Sequence, residues 1–210
     1  MSKTRRSKSR VFSEKDYQSG DGLLTKSWGP GQWHFLHAIS FNYPVSPTEQ
    51  DKKHYRDYVL SLVHVLPCKY CRMNLRKNLK KAPITMAHMK NRDTFSKYVY
   101  DLHEIVNTML NKKSGLTYED VKERYEHFRA RCSLPIKRAG SHQRRNNTRK
   151  RNSEKGCTEP LYGEKIKCVL KFLPENEKCD TFQMDKRCLK RRGGGDGATA
   201  TNRFSLSSPT

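Results

Sequence analysis

The stretch GQWHFLHAISFNYP, residues 31 to 44, decides the fold class of this chain. One face of a helix collects its side chains at spacings of three and four, and this face would carry Trp33, Leu36, His37, Ser40 and Phe41. Pro44 ends the pattern, because proline does not continue a helix. A strand would instead show apolar residues in alternation. The stretch therefore predicts an α-helix over residues 31–43.

Two more helices are predicted immediately downstream. SPTEQ, residues 46–50, offers Ser46 as a cap, a proline at the first helical position and Glu49 three residues after the cap, which is a capping-box start. The buried stripe of this second helix would be Tyr55, Val59, Leu62, Val63 and Leu66. Pro67 interrupts it and suits the first turn of a short third helix over residues 67–81, where its missing N–H is not needed.

Two later helices complete the predicted core. A cap at Asp93 or Thr94 starts a fourth helix that runs to about Lys112, with Phe95, Val99, Leu102, Val106 and Leu110 inward. Thr117 begins a capping box for a fifth helix. Helices joined by short loops, with Pro and Gly confined to the joints, predict an all-α bundle over residues 23–132.

The rest of the chain divides by composition. We expect residues 1–22 to form a basic flexible arm, 133–155 a basic linker, 156–190 a small cysteine-containing module and 191–210 a flexible tail. Only 34% of the 210 residues are hydrophobic, against roughly 45% in ordinary globular chains. A sizeable part of the length should therefore stay outside the core, as basic, partly disordered extensions.

Charge bounds the partners. The chain carries 43 Lys and Arg against 21 Asp and Glu, a formal net charge of +22. Such a field attracts nucleic acid, anionic membranes or acidic proteins, so the basic tails make nucleic acid a candidate partner. We find no apolar run of the roughly 18 residues that span a bilayer, and no apolar secretory signal at the N-terminus. We therefore expect a cytoplasmic protein without a membrane span that is not exported through a signal peptide.

VLPCKYCRMN, residues 65 to 74, carries the chemistry of the core. Cys68 and Cys71 would share one helix face, close enough for their sulfurs to join or to bind one metal ion. Zinc normally needs two further ligands at familiar spacings, and the sequence has no second CxxC. An inert disulfide closing so short a loop would add little stability.

Redox chemistry is therefore the leading interpretation of the CxxC, and no residue is assigned to a metal. A helix N-terminus supplies partial positive charge, and Lys69 and Arg72 add two cations. Both effects favour the thiolate, which is the attacking species in thiol exchange. Composition and spacing alone do not name the electron acceptor.

The successive segments WGPGQWHFLHAISFNYP, PCKYC, FSKYVYDLHEIVNTMLNKK and ERY together resemble the Erv/ALR family of FAD-dependent sulfhydryl oxidases, over residues 28 to about 132. The resemblance implies a four-helix bundle with a short fifth helix, with FAD at one end, and a homodimer. It implies that Cys68 receives electrons from the dithiol of a protein substrate and that Cys71 lies next to the flavin. Molecular oxygen would be the final acceptor and hydrogen peroxide the product.

The resemblance also implies a set of FAD-binding residues: Gly29, Trp33, His37, Tyr98, His103, Asn107, Lys112 and Tyr125. The chain departs from the family in having Tyr98 and Tyr125 where tryptophan is usual, and Glu104 where many members have asparagine. Taken singly, each aromatic residue is better explained as a core residue and each histidine as a satisfied bundle histidine. Their shared register with the CxxC favours the cofactor role.

Five cysteines remain outside the CxxC: Cys132, Cys157, Cys168, Cys179 and Cys188. Family members often relay electrons through a second, mobile cysteine pair, so we expect some pair among the five to act as a shuttle or a structural disulfide. Five is an odd number, so at least one of them should be free or intermolecular.

The basic extensions and the absent signal peptide resemble the enzymes of large DNA viruses, which make disulfides for virion proteins. Host cytoplasm or virion would then be the location. The alternative interpretation, from another class, is a basic zinc-containing module that binds nucleic acid.

Overall fold

The computed structural model describes residues 11–131, 157–167, 177 and 184–190. The predictions for the first ten residues, for the basic linker and for the tail lie outside the described residues. So do those for three of the five additional cysteines: Cys132, Cys168 and Cys179.

Helices make up the regular structure of the described part of the chain. In order they are α1 (Glu14–Tyr17), α2 (Thr25–Phe41), α3 (Glu49–Val65), α4 (Lys69–Lys81), α5 (Arg92–Met109) and α6 (Tyr118–Glu126), with 3-10 turns at Met86–Met89 and Lys186–Cys188. Among the described residues the one strand-like contact is an isolated antiparallel bridge between Ala130 and Pro160. The all-α prediction is therefore confirmed, with α2 to α5 as the four bundle helices and α6 as the short fifth.

The first bundle helix starts six residues earlier than predicted. α2 already includes Gly29 and Pro30, which lie before the predicted start at Gly31. A contact with the chain before the helix stabilises its first turns: the Trp28 indole N–H donates to the Leu23 carbonyl at 3.2 Å. Such contacts can override weak local propensity. The extra turns at the N-terminus bring the start of α2 up to the start of α4.

Three predicted helix starts are wrong by two or three residues. α3 is capped by Thr48, whose hydroxyl accepts from the Asp51 N–H while the Asp51 carboxylate accepts from the Thr48 N–H, so Ser46 lies outside the helix. α4 is capped by Cys68, and Pro67 precedes the cap. A similar box at Asn91, with Thr94 as its third helical residue, starts α5, so the predicted cap at Asp93 or Thr94 is wrong. The predicted box at Thr117 does start α6.

The core lies between the helices where α2 packs against α5 and α6, and α3 packs against α4. Its fully buried large side chains are Tyr43, Val59, Met89, Phe95, Val99 and Leu102. Each of these apart from Tyr43 contributes about 1.5–3 kcal/mol of transfer free energy when fully buried. Leu110, predicted to face inward, is 51% exposed because α5 ends at Met109. None of the helices in the described ranges combines the length and apolar character that crossing a membrane requires.

Two described pieces of the predicted cysteine-containing module pack on the end of α6. The Arg131 N–H donates to the Glu159 carbonyl at 2.7 Å, and the Lys190 N–H donates to Nδ1 of His127 at 3.1 Å. Cys157 is disulfide-bonded, whereas Cys188 is a buried free thiol. These two pieces therefore contact the helical core through one backbone–backbone hydrogen bond and one bond from a backbone N–H to a histidine ring.

Candidate active site

Cys68 and Cys71 stand together at the N-terminus of α4 as free, half-buried thiols. The Cys68 backbone is extended, and its sulfur accepts a hydrogen bond from the Cys71 N–H at 3.2 Å. Thr25, the first residue of α2, places its hydroxyl oxygen 3.7 Å from the Cys71 sulfur. The chain thus presents one dithiol where two helices begin.

The two thiols differ in acidity. The hydrogen bond with Cys71 lowers the pKa of the Cys68 thiol. Desolvation raises the pKa of the Cys71 thiol. At neutral pH Cys68 therefore carries the larger share of thiolate, which is the nucleophilic form.

An aromatic cluster lies farther along α2. The rings of Trp33 and His103 stack at a centroid distance of 4.0 Å with 5° between their planes. The His37 ring lies 5.3 Å from that of His103. At 1.5 Å per residue, Trp33 is about 12 Å along the helix axis from Thr25. A single helix therefore carries both the contact to the dithiol and the stacked aromatic face.

The two histidines of the cluster are held neutral by burial. Desolvation lowers the pKa of His37 to about 3 and that of His103 to about 4. Their rings meet through Nε2 of His37 and Nδ1 of His103 at 3.0 Å. One neutral ring must donate in this bond while the other accepts.

Tyr125 of α6 closes the other side of the cluster. Its ring stacks on Phe41 at 5.0 Å and lies 5.5 Å from the His37 ring. Its hydroxyl is 3.0 Å from Nδ1 of His34, and burial raises the pKa of the phenol. The sequence does not single out His34, because its partner lies 91 residues away.

Four of the predicted FAD-binding residues are thus brought together: Trp33, His37, His103 and Tyr125. Asn107 is one turn of α5 beyond His103, and its amide donates to the Glu104 carboxylate at 2.9 Å. Gly29 is buried in α2, one turn before Trp33.

For the other two predicted residues, Tyr98 and Lys112, the structure gives contacts of a different kind. The Tyr98 ring lies 4.6 Å from the His88 ring at an angle of 40°, and its hydroxyl donates to the Ala82 carbonyl at 2.9 Å. Lys112 follows α5 as an exposed residue, and its N–H donates to the Asn107 carbonyl at 2.8 Å. Their assignment to the FAD site stays a prediction.

The cluster fits a flat, polar aromatic cofactor. Nδ1 of His37 and Nε2 of Gln32 are buried without a hydrogen-bond partner among the described residues. A buried polar atom left unpaired costs about 1–3 kcal/mol, so each favours a ligand that supplies the missing partner. Gln32 is missing from the predicted set, and its position next to Trp33 is the only sequence signal for it.

The zinc alternative gains no support from this geometry. Among the described residues, no group of three or more His, Cys, Asp or Glu side chains is arranged to hold a metal ion. The two free thiols of the CxxC have Thr25 and each other as neighbours instead.

Comparisons with known proteins agree with the arrangement. Residues 30–126 match the model of the Erv1/Alr family. An Acanthamoeba polyphaga mimivirus protein named a probable FAD-linked sulfhydryl oxidase is 39% identical over 104 residues, which cover 50% of this chain and 72% of that protein. The FAD-linked sulfhydryl oxidase of an African swine fever virus isolate is 30% identical over 99 residues, 47% of this chain and 80% of that protein.

Solved structures of the same group are also similar. The crystal structure of the yeast Erv1 core aligns with a TM-score of 0.45 at 20% identity, covering 58% of this chain and 96% of that one. The family assignment depends on the sequence matches, since two viral relatives at 30% identity or more are covered over more than two thirds of their length. The chain belongs to the Erv1/Alr family.

Proposed function

We propose that this chain is an FAD-dependent thiol oxidase that forms disulfide bonds in protein substrates. The observation that carries the proposal is the Cys68–Cys71 dithiol at the start of α4, joined through α2 to the Trp33–His103 stack. The names of the viral relatives, both FAD-linked sulfhydryl oxidases, support the same activity.

The reaction at the cysteines is thiol–disulfide exchange. With Cys68 and Cys71 oxidised to a disulfide, a substrate thiolate attacks the Cys68 sulfur and Cys71 leaves as a thiolate. A second substrate thiolate then attacks the mixed disulfide, which releases Cys68 and yields the substrate disulfide. The substrate loses two electrons and two protons, and the CxxC gains them.

Reoxidation of the CxxC needs a second acceptor. FAD, when bound, supplies a two-electron acceptor that passes the electrons on to molecular oxygen and gives hydrogen peroxide. We assign it to the predicted residues: Gly29, Trp33, His37, Tyr98, His103, Asn107, Lys112 and Tyr125. Trp33 and His103 offer flat faces for stacking, and the neutral His37 offers an unpaired Nδ1.

The difference in pKa between the Cys68 and Cys71 thiols suits this division of roles. Cys68, with the lowered pKa, is the sulfur that meets and releases substrate, and a leaving group of lower pKa departs faster. Cys71 is held beside Thr25 of α2, the helix that carries Trp33 and His37.

The test uses the purified full-length chain. We expect flavin absorbance that is released on denaturation, and oxygen uptake with dithiothreitol that Cys68→Ser and Cys71→Ser each abolish. Cys188→Ser is the matched control, because Cys188 is a free thiol outside the CxxC. A colourless protein that FAD does not reconstitute, or oxygen uptake that survives Cys71→Ser, would overturn the proposal.

We also propose a homodimer that pairs through the outer face of α2 and α3. Phe35 is 54% exposed there, and its ring meets the Tyr58 ring edge-on at 6.5 Å. Val65 on the same side is 67% exposed. Sedimentation of wild type as a dimer and of Phe35→Asp as a monomer is the expected result; a wild-type monomer would contradict it.

Viral relatives suggest where the activity is used. We propose that the chain forms disulfides in virion proteins within the host cytoplasm, since the mimivirus and African swine fever virus proteins are among its relatives. Cell fractionation that recovers the tagged chain in the cytosol or in virions is expected, and recovery in the secretory pathway would contradict it.

A further inference from the structure

We propose that the basic side of α4 is a docking surface for an acidic segment of the protein substrate, which brings the substrate cysteines to Cys68. The inference depends on the proposed function, since it names the class of substrate for the same dithiol. We define the α4 basic ridge by Arg72, Arg76 and Lys80.

The ridge starts at the catalytic cysteine. Arg72, Arg76 and Lys80 follow Cys68 at successive intervals of four residues, and such positions form one continuous row along a helix. A second row of Lys69, Lys77 and Lys81 runs beside it. α4 contains no acidic residue, so every charged side chain on it is positive from the CxxC to its last turn.

Two cations of the ridge are available to a binding partner. Arg76 and Lys80 are exposed, and within the described residues neither forms an ion pair. Arg72 instead donates to the Leu66 carbonyl at the end of α3, which fixes its guanidinium close to the CxxC. Carboxylates of a bound segment would therefore meet cations that no acidic side chain of the described part already neutralises.

A cleft beside the ridge indicates a polypeptide. It is an open depression of about 290 Å³ between α3 and α4, and its lining combines aliphatic with cationic or imidazole side chains: Leu60, Val63, His64, Arg76, Leu79 and Lys80. Aliphatic side chains next to the cations of Arg76 and Lys80 fit an apolar side chain flanked by carboxylates.

The cleft lies within reach of a peptide whose cysteine reacts at Cys68. With a rise of 1.5 Å per residue, Arg76 and Lys80 lie about 12 and 18 Å along the helix axis from Cys68. An extended peptide covers that distance in about four to six residues. The matching substrate thus carries acidic residues, and one apolar residue, four to six positions from its cysteine. A nucleic acid could also meet the cations but would bring no thiol to Cys68.

The test compares peptide substrates on the FAD-loaded full-length chain. Two dithiol peptides share one sequence, except that acidic residues four to six positions from the cysteine are replaced by glutamine in the second. We expect a KM roughly tenfold lower for the acidic peptide at low salt, with similar kcat, and a loss of the difference at high salt. Replacing the apolar residue of the acidic peptide by glutamine should also raise its KM.

The variant Arg76→Glu/Lys80→Glu should abolish the preference for the acidic peptide and leave dithiothreitol oxidation unchanged. Lys15→Glu/Lys90→Glu is the matched control, since it makes the same change in charge at exposed lysines outside α4. Equal KM values for the two peptides with wild type, or the same effect from both double variants, would overturn the proposal.

A binding measurement separates this proposal from the proposed function. Fluorescence anisotropy with the acidic peptide, its cysteines replaced by serine, reports docking even if no turnover occurs. Peptide binding without dithiothreitol oxidation would retain the ridge and reject the oxidase. Binding of a single-stranded oligonucleotide that the ridge variant abolishes, with no peptide preference, would make the ridge a nucleic-acid surface and reject the peptide.

Discussion

His37 and His103 meet through Nε2 and Nδ1 at 3.0 Å, although 66 residues separate them in the chain. Trp33 covers the face of His103, and burial keeps both imidazoles neutral. The pair therefore links α2 to α5 by one hydrogen bond between uncharged rings, at the point where the cofactor is proposed to bind.

This pair should make stability depend on pH in the weakly acidic range. Unfolded histidine takes up a proton near pH 6.5, whereas His37 and His103 resist protonation down to about 3 and about 4. The unfolded state then binds more protons, so the free energy of unfolding falls as pH drops below 6.5. We expect a loss of roughly 1–2 kcal/mol per histidine between pH 7.5 and 5.0, measured by urea unfolding.

His37→Gln/His103→Gln should flatten this pH dependence, whatever its effect at pH 7.5. His64→Gln is the control, because His64 is exposed on α3 and should leave the dependence unchanged. A double variant with the wild-type slope between pH 5 and 6.5 would show that the pair is not its source.

The sequence predicts the helices well because their signal is local. The spacing of Trp33, Leu36 and Phe41 is enough to place a helix, and the capping box at Thr117 is enough to start one. Two overlapping boxes precede α3, however, and both satisfy the pattern. Only the structure shows that Thr48 with Asp51 caps the helix.

What the sequence cannot supply is the set of neighbours. Gly29 and Pro30 suggest a loop before the helix, yet α2 runs through them, and contacts at Trp28 and Thr25 hold its first turns. His34 gains its partner only when α6 brings Tyr125 to it. The Cys68–Cys71 pair needs no such information, because both its members lie within one turn.

The two thiols of the CxxC should be alkylated at different rates. The hydrogen bond with Cys71 lowers the pKa of Cys68, and desolvation raises that of Cys71. We therefore expect iodoacetamide to modify Cys68 several-fold faster at pH 7 in the reduced protein, read by mass spectrometry of the separated products. Faster labelling of Cys71, or equal rates, would contradict the assignment of Cys68 as the more acidic thiol.

Tyr98 should contribute to stability through its hydroxyl. The hydroxyl donates to the Ala82 carbonyl at 2.9 Å, and burial raises the pKa of the phenol to about 12, so the donor proton is retained at neutral pH. Tyr98→Phe leaves the carbonyl without this partner and should lower the free energy of unfolding by about 1–2 kcal/mol. Tyr70→Phe, at a residue 73% exposed, should change it little.

The same variant tests the predicted cofactor role of Tyr98. If Tyr98 acts only through the Ala82 contact, Tyr98→Phe should leave FAD affinity within about twofold of wild type, as measured by flavin fluorescence. A tenfold loss of affinity would correspond to about 1.4 kcal/mol of binding free energy. A larger loss of FAD affinity than Tyr70→Phe produces would support its place in the FAD site.

The segment before α2 should shield the start of the CxxC helix. The Leu23 N–H donates to the Pro67 carbonyl at 2.9 Å, and a Cβ at Gly22 would lie 2.7 Å from that oxygen and 3.1 Å from the Cys68 Cα. Both neighbours are backbone atoms, so Gly22→Ala must push the segment away. We expect a loss of about 1 kcal/mol in the free energy of unfolding, the size of one hydrogen bond, and faster alkylation of Cys68.

Gly20→Ala is the matched control, because nothing lies within 4 Å of the added carbon at that position. It should leave both the alkylation rate and the unfolding free energy at wild-type values. If Gly22→Ala behaves like Gly20→Ala in both measurements, the segment does not pack on Pro67 in solution, and access to Cys68 is set by α4 and α2 alone.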